Sequence, residues 1–171
     1  MRSTTVFGVD FNPAADRLRI VSDTGQNLSH NVNAGGATAQ QGPLTYTPPP
    51  AAPVAALGIT AVAYTNNDLS ATTATTLFAL DTTLDQVAIQ SPPGNGILVA
   101  TGQLGREAAP PAGFDIASRL SKGVTVLNGG FAALFVHDTY GFYHINPLTG
   151  HARLLHHFTE PVVDIAVSLA Q

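Results

Sequence analysis

Asp10, Asp115 and Asp164 stand at the centre of three short apolar runs, GVDF, GFDI and VVDI, and a fourth run, AVAY, carries Ala63 at the matching place. Carboxylates repeated on buried strands admit two chemistries. If the strands converge on one axis, the side chains gather the oxygen ligands that Ca²⁺ takes, and a bound ion can activate water. If each carboxylate instead accepts amide hydrogen bonds from the neighbouring strand, it is a fastening that satisfies backbone groups which burial would strand.

A second recurrent signal is Asp-Thr at a strand end: Asp23 and Thr24 in LRIVSDTGQNLSHNV, Asp81 and Thr82 in TLFALDTTLDQVAIQ, Asp138 and Thr139 in ALFVHDTYGFYHIN. Both side chains bond local backbone at tight turns, so turn chemistry accounts for the recurrence. The six residues are also candidates for a ligand-facing surface, because in propellers such turns share a face with the connections between blades. DFNPAAD places Asp10, Asn12 and Asp16 as a calcium loop would, without its glycine or terminal glutamate, and reads as a turn. Arg17 and Arg19 share one strand face, suited to a solvated or Asp-paired structural role ahead of holding a substrate anion. His137, His144 and His151 recur only in the last third and read as a surface cluster.

These residues need elements to position them. Each apolar run is followed by a strand, the Asp-Thr turn, a returning strand, a Gly-containing turn and a further strand, the whole repeating roughly every 50 to 58 residues without helical periodicity. Four-stranded antiparallel units of this kind build β-propellers. The expectation is an all-β, propeller-like single domain over 1–171, with three four-stranded blades at about 6–47, 58–104 and 112–159 and a closing strand at 162–168. GPLTYTPPPAAPVAALG and GREAAPPAG read as exposed connections, since proline cannot join a central ladder. NNDLSATTATT reads as a low-complexity insertion tolerated on the surface.

Composition narrows the partners. Charged residues make up 11% of the chain, against about 25% in ordinary domains. With a net charge of −4 and Lys122 as the single lysine, there is no electrostatic footprint for nucleic acid. The lack of cysteine excludes disulfides, thiolate catalysis and Cys-ligated metals. No stretch reads as a membrane span, and the first residues do not read as a signal peptide. GxSxG and phosphate-loop contexts are absent.

The string FGVDFNPAADRLRIVSDTGQNL, followed by AYTNN, TTLFALDT, AIQSPPGNG, GFDI and a terminal VVDIAV, resembles a bacterial domain family of unknown function found in secreted or cell-surface proteins. The resemblance runs from Phe7 to about Val167. It implies a propeller-like fold, an extracytoplasmic or secreted setting and at least one further repeat before Phe7, and it carries over no catalytic residue.

The function expected from these readings is a non-enzymatic binding or surface-display module without a cofactor, its ligand face built from the Asp-Thr turns. The alternatives are a metal-dependent, propeller-type hydrolase holding Ca²⁺ on Asp10, Asp115 and Asp164, and a structural fragment that completes a ring by self-association. Three blades leave two sheet faces uncovered, so either two chains form a six-bladed ring or blades upstream are missing.

Overall fold

The computed structural model describes residues 5–47, 52–68, 70 and 72–168. Pro48, Pro49 and Pro50 of the first proline-rich connection, and Leu69 and Ala71 of the Ser/Thr-rich insertion, lie outside the described residues. The fold is all-β, in three sheets.

The first sheet is an antiparallel meander of β1 (Phe7–Asn12), β2 (Arg17–Ser22), β3 (Asn27–Asn31) and β4 (Thr38–Gln40). The following connection differs from the expected loop: Thr45–Tyr46 forms β5 and Val54–Ala55 forms β6. Both join the edge of the second sheet, β5 pairing in parallel with β10. Leu44 and Ala56 on either side are buried, which explains why this stretch is held down although its prolines cannot extend a ladder.

The second sheet continues with β7 (Ile59–Tyr64), β8 (Leu77–Asp81), β9 (Gln86–Gln90) and β10 (Ile97–Gln103), giving the order β6-β5-β10-β9-β8-β7. Every residue of β7 and β8 is buried. Their near-continuous apolar runs, ITAVAY and LFALD, follow from position, because the middle sheet is covered on both faces. One core cluster joins Val21 of the first sheet to Val62, Tyr64 and Leu77. The other packs Ala61, Ala63, Phe78 and Leu80 against Phe114, Ile116, Leu134 and Ile145 of the third sheet.

The third sheet is β11 (Ala109–Ser121), β12 (Val124–Val136), β13 (Thr139–Ile145) and β14 (Ala152–His157). GFDI is thus the middle of a 13-residue strand, longer than the short run expected. Its hairpin turns at Lys122 and Gly123, with φ of 52° and 77°, the left-handed pair that a two-residue turn matching strand twist requires. The segment 162–168 runs beside β11 but has no ladder partner, so it is not a strand in the described structure.

Between the first and second sheets lies a polar core. Arg19, 6% exposed, donates from Nη1 to Asn27 Oδ1 at 2.6 Å, to Leu28 O at 3.3 Å and to the Gln41 side-chain oxygen. Gln90 Nε2 donates to the same Asn27 oxygen at 3.2 Å. The partners of Arg19 are amide oxygens and the Tyr64 hydroxyl, with no carboxylate among them. Neither the ion pair nor the anion-holding role fits Arg19. Arg17, on the same strand, is exposed.

Candidate functional site

β1, β7 and β11 lie side by side, and on each of them alternate residues point to the next sheet in chain order. From β1 these are Gly8 and Asp10. A Cβ on Gly8 would sit 2.6 Å from Ala61 Cα, so the strands approach as only glycine permits. Asp10 Oδ2 then accepts the Tyr64 amide of β7 at 2.6 Å, and Oδ1 accepts the Phe11 amide at 2.7 Å. The same device recurs on β11. A Cβ on Gly113 would meet Asp164 Cα at 2.5 Å, Asp115 Oδ2 accepts the Val167 amide at 2.6 Å, and Oδ1 accepts Ile116 N–H at 2.7 Å.

These contacts correct one alignment. Ala61 and Tyr64 stand to β1 as Asp164 and Val167 stand to β11. The residue of the last segment that matches Ala63 is therefore Ala166, and the series of inner residues reads Asp10, Ala63, Asp115, Ala166. Asp164 lies two residues earlier than its motif suggests. Its Oδ1 accepts only the adjacent Ile165 amide, at 2.9 Å.

Where Ala63 offers no carboxylate, another tie takes over. The Asn67 backbone N–H donates to the Ser118 hydroxyl oxygen at 3.0 Å, and its Nδ2 donates to Ile116 O at 3.0 Å. Asn128 Nδ2 donates to Asn66 Oδ1 at 2.8 Å, and Asp68 Oδ2 accepts the Thr125 amide at 2.8 Å. The expectation of a surface-tolerated insertion fails for its first three residues, which fasten the second sheet to the third. The signal in the sequence was the loss of Asp at position 63 beside a run of Asn and Asp.

Asp10 and Asp115 do share one cavity, of about 360 Å³, whose wall also carries Asn67 and Asp68, while Asp164 is not part of it. Among the described residues no three His, Cys, Asp or Glu side chains are grouped to hold a metal ion. Burial, with the nearby charge of Asp115 adding to it, raises the Asp10 carboxyl to about 6 despite its two amide bonds. Burial likewise pushes Asp115 up, the charge of Asp164 adding to it. A carboxyl raised in the folded state binds its proton there before it does in the unfolded chain. Its contribution to stability is thus full below pH 3.8 and is lost as pH rises through about 6. From pH 4 to 6.5, urea midpoints are expected to fall by the equivalent of about 2 kcal/mol, allowing for partial exposure of the group. Asp10→Asn should flatten that slope; an unchanged slope in the variant would assign it to other groups.

The three Asp-Thr turns lie at the opposite end of the strands, beside the connections between sheets, and they are chemically unlike. Asp81 is buried; its Oδ1 accepts the Thr83 and Leu84 amides, both at 2.9 Å, and Oδ2 accepts the Tyr46 hydroxyl at 2.9 Å. Burial of Tyr46 itself, with the Asp81 charge adding to it, raises its phenol. In the first turn Ser22 does this work, its hydroxyl accepting the Thr24 and Gln26 amides, while Asp23 N–H and Thr82 N–H donate to Val6 O and Gly58 O. In the third, His137 and Asp138 form a two-residue left-handed turn, φ 48° and 60°, with both side chains exposed and Thr139 at its edge. The recurrence of two letters conceals three different turns.

Sequence reasoning missed a second concavity. A cleft of about 690 Å³ opens between the second and third sheets, at the end away from the Asp-Thr turns. Thr65 and Thr76 line one side, Asn128, His144 and Asn146 the other, over an apolar floor that includes Phe78. Leu148, 70% exposed, stands at its lip. His144 packs edge-on against Phe131, with centroids 5.6 Å apart and planes at 82°. Among the described residues, no Asp, Glu, Lys or Arg lines the cleft. None of its residues forms a motif in the linear chain, because β8, β12 and the turn after β13 meet only when the sheets pack. His137 and His151, both exposed, do not join His144 there.

Over residues 1–166 the chain matches the family described as Domain of unknown function (DUF4394), and it belongs to that family. No curated protein and no solved structure matches it.

Proposed function

For this member of a family whose function is undefined, we propose a propeller-like, self-associating binding module, displayed outside the bacterial cytoplasm, that takes a neutral ligand in the cleft between its second and third sheets. The observation that carries the reading is the chemistry of the cleft wall. Its volume, about 690 Å³, lies within the range of small-molecule sites, about 300–1,000 Å³. Its wall offers hydroxyl and amide groups over apolar carbon, with no Asp, Glu, Lys or Arg among the described residues. Such groups both donate and accept, which suits the hydroxyls of a short saccharide better than a phosphate or carboxylate. Among the described residues of the wall His144 is the only titratable group, so no acid and base are paired among them for hydrolysis.

The rival reading, a metal-dependent hydrolase on the inner carboxylates, has less support. Asp10 and Asp115 each commit both oxygens to backbone amides, and ligating a cation would compete with those bonds.

The test is a calorimetric titration with a panel of neutral disaccharides, repeated as thermal melts. A ligand at a hundredfold its Kd adds about 2.7 kcal/mol to stability. Binding that disappears in Asn146→Ala and Leu148→Asp while the variants still melt cooperatively is the expected result. Binding that survives both variants would move the site elsewhere. No heat and no shift with any neutral sugar would defeat the saccharide reading.

A further inference from the structure

The inner strands follow one rule of side-chain size. Toward the next sheet each presents small or acidic residues: Gly8 and Asp10, Ala61 and Ala63, Gly113 and Asp115. Toward the preceding sheet, β7 and β11 present large apolar ones, Val62 and Tyr64, then Phe114 and Ile116, and all four are buried. Two inter-sheet contacts in the molecule are built by setting the small face of one strand against the large face of the next.

Two faces of the same design have no partner among the described residues. On β1 the preceding-side residues are Phe7, Val9 and Phe11, exposed by 52%, 50% and 62%. At the other end, the segment after Pro161 repeats the rule, with Ile165 and Val167 turned toward Phe142 and Phe158 of the third sheet. Its small side, Asp164 and Ala166, is exposed. The free large face and the free small face are complementary by the rule that already joins β1 to β7 and β7 to β11.

We propose that a second copy of the chain covers both faces: β1 of each copy lays Phe7, Val9 and Phe11 against Asp164 and Ala166 of the other, closing a two-fold ring of six sheets. This inference rests on the ring-forming part of the function proposed above. The contact joins unlike faces, and such contacts close only when rotation completes a circle. Rings of sheets close at about four to eight units. One copy supplies three sheets and leaves both faces open, whereas three copies overshoot that range. Two copies fit, and the contact continues the inter-sheet interface already present twice within the chain.

Light scattering of the full chain should return twice the 17.7 kDa of one copy. Phe11→Asp and Ala166→Arg each block one of the two faces, and each alone should run as a monomer that still melts cooperatively. Mixed together, they retain one intact contact and should recover the doubled mass, whereas either variant alone remains single. Val9→Asp and Asp164→Arg serve as second variants should either of the first fail to fold. A wild-type monomer, a mixture that stays monomeric, or a mass that grows without limit on concentration would overturn the proposal. Leu148→Asp, which alters the cleft, should leave the mass doubled, so loss of ligand binding and loss of assembly are read separately.

Discussion

Arg19→Ala is expected to lower the unfolding free energy by about 3 kcal/mol, read as a shift of the urea midpoint at constant slope. The guanidinium is one of the most deeply buried charges in the chain, yet it is compensated by amide and hydroxyl oxygens alone. Its removal returns the cost of desolvating a cation. It also leaves the Gln41 side-chain oxygen and Leu28 O, both on half-buried residues, without this donor and opens a void between two sheets, and together those losses exceed the returned cost. Arg19→Met separates the two effects. Filling the volume without donating should cost less than the alanine variant, about 1–2 kcal/mol, the remainder being the unpaired oxygens. A change in Arg19→Ala below about 0.5 kcal/mol would show that the network is wet and interchangeable with water.

Gly8→Ala is the second large effect, of about 2–3 kcal/mol, because an added methyl meets backbone and not a movable side chain. The new Cβ would stand 2.6 Å from Ala61 Cα and 2.9 Å from Val62 N. The strands must then separate, and separation stretches the Asp10 to Tyr64 hydrogen bond as well. Gly113→Ala makes an equally close encounter, 2.5 Å from Asp164 Cα, but against a segment that no ladder holds. It should therefore release residues 162–168, seen as faster amide exchange at Val167, with a smaller loss of global stability. Equal global losses in the two variants would contradict this division between a laddered and an unladdered strand.

Much of the architecture was readable because strands in this protein are short, apolar and punctuated. AVAY was legible as a buried strand, and β7, which contains it, is buried along its whole length. The Asp-Thr pairs were legible as turns, though not as three turns of different chemistry, since the residue that bonds the loop is Asp81 in one and Ser22 in another. The register of the last segment was not legible. VVDI and GFDI align by letters, while packing sets Asp164 where Ala61 belongs and Ala166 where Ala63 belongs. Side chains alternate with a period of two, so a two-residue slip preserves every inside and outside assignment and leaves no trace in the hydrophobic pattern.

The amino-acid sequence by itself determined the all-β class, the turns that punctuate the strands and a low share of charged residues. Those are properties of residues and their near neighbours, set by side-chain volume, backbone freedom and alternation along a strand. Only the tertiary structure decided which Asp residues fasten adjoining sheets, that Asn66, Asn67 and Asp68 replace the missing one, and that Arg19 is held by amides. It also placed an uncharged cleft at the end opposite the Asp-Thr turns and left Phe7, Val9 and Phe11 uncovered. The physical reason is common to all of these: each depends on which faces of different sheets meet, and contacts between residues 50 or 100 positions apart have no local signature from which to be read.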